Sequence, residues 1–320
     1  MTAPHDSSAS FCRKILNWNC LQRIVRYADH VSEFTGAILL PLIGAFLHPF
    51  LGVFIQRCTR AGLGPTLIVA CSNLITAAIF IAYLKPQGGW ALHGKDWLAV
   101  ANGLFFFIGQ WFSARSLKDG DLAVHSSAMG VKLLIVAALA GMVGLEGTRP
   151  FLFLAAALAC VSVFLVAGGS LAGWKEHRAT VGFTLLACLF FGVNDFMTGW
   201  QAHHIGAARW LVILFCTSAV MSIGLIAARM PQLRQIASGG TTRWFLIGAG
   251  ATLGVQALIV NIAFSEFRQP TLSNVAYSTR GVMAVAFLWI IGQRKTGNLF
   301  VRQISGAILM IVALILALQK

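Results

Sequence analysis

Residues Leu122–Gly144 read LAVHSSAMGVKLLIVAALAGMVG, and this stretch decides the class of fold. It is long enough to cross a bilayer, since a membrane-spanning helix needs about 20 largely apolar residues. Backbone polar groups in lipid must bond within the segment, so an apolar run of this length predicts a helix rather than a strand. One lysine, Lys132, lies near its middle. The stretch therefore predicts a membrane helix that carries a charge deep in the hydrocarbon core.

Nine more apolar runs lie before and after this stretch. They are residues 36–56, 65–84, 97–114, 151–171, 181–201, 210–228, 244–264, 271–292 and 304–318. Of all residues, 58% are hydrophobic and only 11% are charged. This composition excludes a soluble domain, which could not hide so much apolar surface. We predict an all-α polytopic membrane protein with ten transmembrane helices.

The first 35 residues differ from the rest, because charged and apolar side chains are interleaved along them. We predict that residues 1–35 form a basic amphipathic arm on an anionic membrane surface, with a frayed tail as the alternative. The whole chain carries a formal net charge of +14, and its cations fall mainly near the ends of the apolar runs. We therefore expect membrane lipids, rather than nucleic acid, as partners of these charges.

The second half of the chain repeats the first. A shift of 151 residues aligns Trp97–Leu165 with the later part of the chain without a gap, so that Gly130 meets Gly281. Residues 36–173 and residues 180–320 then form two repeats of five helices each. Because five is odd, the second repeat enters the membrane from the opposite side, which gives an inverted repeat. Inverted repeats are typical of secondary transporters, with a substrate site near the bilayer midplane.

Two cations lie too deep in the predicted helices to reach water. Lys132 lies about ten residues from either end of its run, or ~15 Å at the rise of a helix, and Arg280 lies equally deep in 271–292. A charge at this depth costs about 3 kcal/mol or more, so a functional role is the default hypothesis. Facing a central cavity, the two cations would bind a carboxylate or phosphate. The alternative is neutralisation within the bundle, for example by Asp195 or Glu266.

Asp195 is an acid inside an otherwise apolar predicted helix, next to Asn194. It could carry a coupling proton or serve as the counter-ion of a deep cation. An approximate overlay of the first helix on the sixth places His48 opposite Asn194, and histidine titrates near neutrality. We assign His48, Asn194 and Asp195 to coupling or gating, with a hydrogen-bonded interior ring as the alternative for His48. Four further candidate substrate ligands join the two cations: Tyr277, Gln110, Asn261 and Trp111.

Several short motifs resemble those of the drug/metabolite transporter superfamily, EamA type. Gly144-Leu145-Glu146-Gly147 resembles the Gly-Glu end of that family's fourth helix, and Gln303-Ile304-Ser305-Gly306 resembles its Gln-x-x-Gly opening of the tenth. Residues 255–263 and 272–281 resemble the signature of its second repeat. The resemblance covers the chain from about residue 36 onward, and it implies ten helices in two repeats and a transport function.

Two features depart from the EamA pattern. The fourth and ninth predicted helices lack the proline that is common there, and Gly292-Gln293-Arg294-Lys295 replaces the second glutamate. The segment Tyr277-Ser278-Thr279-Arg280-Gly281-Val282 is instead similar to the basic motif in the ninth helix of phosphate-coupled sugar transporters of the same superfamily. This similarity implies an anionic substrate.

We therefore expect a secondary transporter of small polar metabolites, anionic rather than cationic, that works by alternating access, with proton coupling as an option. A flippase for an anionic lipid head group or lipid phosphate is the alternative with the same fold. An intramembrane enzyme is a more distant one, because the chain lacks HExxH, GxSxG and a paired aspartate. We expect no enzymatic activity, no cofactor and no metal site. The expected location is the bacterial inner membrane, as an integral multi-pass protein, and a homodimer is left open.

Overall fold

A computed structural model describes residues 33–84, 91–118, 121–147, 149–231, 240–290, 292 and 297–319. Within them the chain forms helices and contains no β-strand. The predicted N-terminal arm falls on residues that precede Glu33, outside the described part of the chain, so its helical character stays a prediction.

The helices are numbered here in chain order. They are α1 (Glu33–Arg60), α2 (Pro65–Leu84), α3 (Asp96–Lys118), α4 (Leu122–Ala128), α5 (Val131–Met142), α6 (Pro150–Val166), α7 (Leu171–Glu176), α8 (Arg178–Gln201), α9 (Ala207–Ala227), α10 (Gly240–Phe267), α11 (Pro270–Ser278), α12 (Arg280–Ile290) and α13 (Asn298–Ala317). A short 3-10 turn, Ala202–His204, joins α8 to α9.

Eight helical segments within the described ranges are long and apolar enough to cross a membrane. They correspond to α1, α2, α3, the α4–α5 pair, α8, α9, α10 and α13. The all-α class and the membrane character predicted from the sequence are confirmed. The two other predicted runs also fall on helices: α6 is apolar but has 17 residues, and 271–292 is divided between α11 and α12.

Two of the predicted helices are interrupted, at positions that differ by one or two residues under the 151-residue shift of the predicted repeat. Between α4 and α5 the Lys132 N–H bonds the Met129 carbonyl at 3.3 Å, and between α11 and α12 the Thr279 N–H bonds the Ala276 carbonyl at 3.3 Å. Bonds of this three-residue type tighten a helix locally without unwinding it. A cation follows each interruption, because Lys132 is the second residue of α5 and Arg280 is the first residue of α12.

Helix packing runs between the two halves of the chain as well as within them. The most extensive contacts join α1 to α10, α3 to α8, α6 to α13 and α2 to α9. α10 also packs against α2, and α9 against α3. Each interrupted helix packs on one long neighbour, α5 on α8 and α12 on α1. The deep polar side chains therefore lie on helices that meet near the centre of the bundle.

Candidate functional site

Lys132 and Asp195 form a buried ion pair. The Lys132 Nζ donates a hydrogen bond of 2.7 Å to Asp195 Oδ2, and the two side chains are 12% and 8% exposed. The pair joins α5 to α8. The neutralisation that the sequence left open as an alternative is the arrangement found for Lys132, with Asp195 as its partner. A buried charge that has a close counter-ion avoids most of the cost of an unpaired one.

Amide side chains surround this pair. Asn194 Nδ2 donates to Asp195 Oδ1 at 3.1 Å. From α3, Asn102 Nδ2 donates to the Asn194 carbonyl at 3.3 Å and to Thr198 Oγ1 at 3.0 Å. We call Lys132, Asp195, Asn194, Asn102 and Thr198 the lysine cluster. Its net charge is zero when Lys132 and Asp195 are ionised, and its members come from α3, α5 and α8.

Arg280 has different neighbours. Its guanidinium carbon lies 4.5 Å from the centroid of the Tyr277 ring, in a cation–π arrangement one turn back along the same interrupted helix. Within the described residues, no carboxylate forms an ion pair with Arg280. A ring face offsets part of the cost of desolvating the cation but carries no net charge. In the part of the chain that the structure describes, no acidic side chain therefore neutralises the positive charge of Arg280.

His48 and Gln256 complete the surroundings of Arg280. Gln256 Nε2 donates to the Gly44 carbonyl at 2.8 Å and lies 3.5 Å from His48 Nδ1. The Arg280 guanidinium lies within electrostatic range of the His48 ring. We call Arg280, Tyr277, His48 and Gln256 the arginine cluster. Its members come from α1, α10 and the interrupted helix α11–α12.

The two clusters border a common region. The charge of Arg280 acts on His125 of α4 and on Cys188 of α8, and the charge of Lys132 also acts on Cys188. The Arg280 guanidinium therefore lies within electrostatic range of α4 and α8. A ligand in this region would meet the unpaired guanidinium on one side and the Lys132–Asp195 pair on the other.

Three predicted ligands lie elsewhere or bond locally. Gln110 Oε1 accepts a hydrogen bond of 2.6 Å from Asn73 Nδ2, in a buried group. Asn261 Nδ2 donates to the Ala257 carbonyl of its own helix at 2.8 Å. Trp111 is 42% exposed and packs edge-on against Phe112. Among the described residues, none of the three forms a hydrogen bond with a member of either cluster.

Sequence reasoning missed several buried polar side chains. Asn73 bonds Ser222 Oγ at 2.9 Å as well as Gln110, and Asn102 anchors the lysine cluster. A lone amide in an apolar run was the available signal in both cases. His125 is buried and lies 2.6 Å from Ser116 Oγ and 3.0 Å from Thr184 Oγ1 through its Nδ1 atom. It is therefore held by hydroxyl groups of two neighbouring helices.

Some side-chain oxygen atoms in the two clusters could each accept a further hydrogen bond. Among the described residues, the side-chain oxygens of Asn194, Asn102 and Gln256 are buried without a hydrogen-bond partner. Buried polar atoms usually find a partner in protein or water. No group of three His, Cys, Asp or Glu within the described ranges could hold a metal ion. The clusters offer cation, amide and imidazole groups, which suit a small polar ligand.

The helices and their apolar lengths define the class of this chain, which is an integral, multi-pass membrane protein. No protein-family model matches it, and no curated protein matches it. A solved structure, described as "Crystal structure of protein", is similar over 89% of this chain and 96% of its own, with a TM-score of 0.70 and 18% sequence identity. At that identity the likeness shows a shared helical fold and nothing about activity.

Proposed function

We propose that this chain is a ten-span, inverted-repeat secondary transporter of the bacterial inner membrane that moves a small, singly charged anion. The ten spans are α1, α2, α3, α4–α5, α6, α8, α9, α10, α11–α12 and α13, and α7 lies in the connection between the repeats. In this numbering each helix of the first repeat corresponds to the helix numbered seven higher in the second.

The packing supports the repeat. Exchanging the repeats turns the α1–α10 contact into the α8–α3 contact, and turns α5–α8 into α12–α1; both members of each pair are extensive. The α2–α9 and α6–α13 contacts map onto themselves. A two-fold relation between the repeats requires this behaviour, and alternating access then follows from rocking one repeat against the other.

The two clusters occupy corresponding places under the same exchange. The lysine cluster draws on α5, α8 and α3, whereas the arginine cluster draws on α11–α12, α1 and α10. The sequence overlay of the first helix on the sixth aligns Pro49 with Asp195. A proline therefore occupies the position that corresponds to the acid paired with Lys132. Within the described ranges, the second cation therefore has no carboxylate partner like the one that neutralises the first. This asymmetry is the observation that carries the proposal.

An anion would supply the missing negative charge. A carboxylate or phosphate ester binds a guanidinium through two parallel hydrogen bonds, which a lysine cannot match. With Arg280 and Lys132 positive and Asp195 negative, the two clusters together carry a net charge of +1. We assign Arg280 and Tyr277 to substrate binding, and the Lys132–Asp195 pair with Asn194 and His48 to coupling or gating.

The test is a thermal-shift screen of the purified protein against monocarboxylates, phosphate esters, amines and neutral metabolites. A ligand that binds the native state raises the melting temperature, and linkage predicts about 2.7 kcal/mol of stabilisation at a hundredfold excess over Kd. We expect stabilisation by anions that is lost in Arg280→Gln. Arg243→Gln is the matched control, because Arg243 also lies over an aromatic ring, that of Trp244, but is exposed.

The same screen separates the rival functions. Stabilisation by anionic lipids but not by their soluble head groups would favour the flippase. Stabilisation by amines alone, or by anions equally in Arg280→Gln, would contradict the anion site. We propose transport rather than catalysis, since Asp195 is held by Lys132 and His48 lies beside an amide, and none of the described residues pairs a nucleophile with either.

A further inference from the structure

The two ends of the helix bundle are packed differently. One end is formed by the start of α3, α9 and α11 and by the end of α5, α8 and α10; we call it the Glu146 end. Arg209 in the first turn of α9 bonds Asp96 at the start of α3, and Gly199 near the end of α8 lies against Pro270 at the start of α11, which places these helix ends together. The opposite end, where Asp121 caps α4, is the Asp121 end.

Helices of the two interrupted spans meet at the Glu146 end. α11 packs against α5, against α6 and against α8, and α8 packs against α10. Gly199 of α8 lies so close to Pro270 that a side-chain carbon on the glycine would be 3.0 Å from the proline ring. The Ser273 hydroxyl of α11 also donates to the Ala37 carbonyl at 2.9 Å.

The corresponding contacts are missing at the Asp121 end. Exchange of the repeats turns the α11–α5 contact into an α4–α12 contact, and α8–α10 into α1–α3. Neither of these pairs packs to a comparable extent, although all four helices lie within the described residues. The helices are therefore packed more closely at the Glu146 end than at the Asp121 end.

Two polar contacts join the repeats at the Glu146 end. The Arg209 guanidinium of α9 donates two hydrogen bonds, of 2.9 and 2.6 Å, to the Asp96 carboxylate of α3. It also donates to the Ala91 carbonyl at 2.7 Å. Asp96 is 2% exposed. Glu146, in the connection after α5, accepts a hydrogen bond of 2.7 Å from the Thr271 N–H in the first turn of α11.

Neither contact has a counterpart at the other end. Adding the repeat shift of 151 residues takes Asp96 to Ile247 and Glu146 to Gly297. An isoleucine and a glycine offer no side-chain acceptor for an arginine or a helix N–H. At the Asp121 end, Asp121 bonds Val124 of its own helix at 2.8 Å. Among the described residues, the polar contacts between the repeats there are a 3.0 Å contact of His125 with Thr184 and a 3.5 Å hydrogen bond from Arg302 to the Gly169 carbonyl, and neither involves a carboxylate.

We propose that Asp96–Arg209 and Glu146–Thr271 are latches that hold the Glu146 end closed, so that the resting transporter exposes its site at the Asp121 end. This inference rests on the proposed inverted-repeat transporter. A buried bidentate carboxylate–arginine pair is among the stronger polar contacts, and the Glu146 oxygen satisfies a helix N–H group that has no partner within its own helix. Opening the Glu146 end would break both at once, whereas opening the Asp121 end breaks neither.

Hydrogen–deuterium exchange of the full chain in lipid nanodiscs tests this without any substrate. Asp96→Ala and Glu146→Ala each remove one latch. We expect residues 91–98 and 270–276 to exchange faster, on the order of tenfold, since one charge-assisted hydrogen bond shifts an equilibrium by about that factor. Residues 121–128 and 280–288 must become more protected at the same time, because closure of one end accompanies opening of the other. The double variant should show roughly the product of the two effects.

Two controls sharpen the result. Glu146→Gln keeps an acceptor for the Thr271 N–H and should leave the Glu146 end closed. Asp121→Ala removes a helix cap within one repeat, so only residues 121–128 should exchange faster. Faster exchange at the Glu146 end without added protection at the Asp121 end would mean local fraying and would overturn the proposal, as would no change. Neither outcome would touch the anion site, which the Arg280 screen tests separately.

Discussion

Lys132 Nζ lies 2.7 Å from Asp195 Oδ2, and this pair joins an interrupted helix to the helix that crosses beside it. The corresponding cation of the second repeat, Arg280, has the ring of Tyr277 as its partner instead. The deep cation of the first repeat is thus neutralised by an acid of the second, whereas among the described residues no carboxylate pairs with the deep cation of the second repeat. The sequence alone treated the two cations alike, and the structure gives them different neighbours.

Breaking the Lys132–Asp195 pair should destabilise the protein more than removing it. Asp195→Asn leaves the lysine charge buried without a counter-ion, and loss of one partner of a buried pair costs about 3–5 kcal/mol. The double variant Lys132→Met/Asp195→Asn leaves no unpaired charge, so its melting temperature should lie above that of Asp195→Asn. Thermal unfolding followed by size-exclusion chromatography measures the difference. If the loss of melting temperature in the double variant equals the sum of the losses in Lys132→Met and Asp195→Asn, the two side chains are not coupled.

Asp195 should also set the charge of the preferred anion. In the native protein it offsets one of the two deep cations, whereas Asp195→Asn raises the net charge of the two clusters from +1 to +2. We expect the ratio of affinities for a dicarboxylate over the matching monocarboxylate to rise about tenfold, which corresponds to about 1.4 kcal/mol. Isothermal titration with the two compounds measures the ratio. Asp121→Asn, which alters a charge outside the clusters, serves as control; an unchanged ratio in Asp195→Asn would argue against a shared binding region.

The fold followed from the sequence because its signal is local. Apolar runs of membrane length form helices wherever they occur, and all ten predicted runs fall on helices of the described chain. The interruptions were not predicted, since neither contains a proline; Met129-Gly130 and Thr279 tighten the helix through backbone bonds that sequence patterns do not encode. The side chains that contact the two deep cations were still harder to predict. The depth of Lys132 and Arg280 followed from counting residues, but their neighbours depend on which helices pack together.

Charged and amide side chains in apolar runs differ in how strongly they predict a binding role. Lys132, Arg280 and Asp195 stood out because charge in an apolar run is costly wherever the helix lies. Gln110 and Asn261 stood out for the same reason, yet one bonds Asn73 and the other bonds its own backbone. An amide can be satisfied within the bundle at little cost, whereas an unpaired cation cannot. A charge deep in an apolar run is therefore a stronger reason to propose a functional role than an amide at the same depth.

Gly306 should resist enlargement because α13 meets α6 there. A side-chain carbon on Gly306 would lie 3.0 Å from the Ser162 carbonyl oxygen and 2.7 Å from a methyl of Val166. The Ser162 hydroxyl also donates to the Gly306 carbonyl at 2.6 Å, which fixes the separation of the two backbones. Gly306→Val should therefore cost about 1–3 kcal/mol through overpacking. Gly224→Ala is the control, since Gly224 has no neighbour within 4 Å; it should be neutral or stabilise the helix by up to about 1 kcal/mol. Equal melting temperatures for the two variants would contradict close packing of α6 on α13.

Acid should tighten the Glu146 latch. Burial raises the pKa of Glu146 to about 7, while its hydrogen bonds to the start of α11 and the charge of Arg149 act in the opposite direction. When the Glu146 end opens, the carboxyl reaches water and its pKa returns toward the ordinary value of about 4.3. The closed state therefore binds the proton more tightly, so closure gains stability as the pH falls through 7 and reaches its full extent below the pKa of the open state. We expect residues 270–276 to exchange more slowly at pH 6 than at pH 8, after correction for the intrinsic base-catalysed rate. Glu146→Gln holds an uncharged acceptor at every pH, so its corrected exchange should not change; if it keeps the native pH dependence, another group such as His203 is responsible.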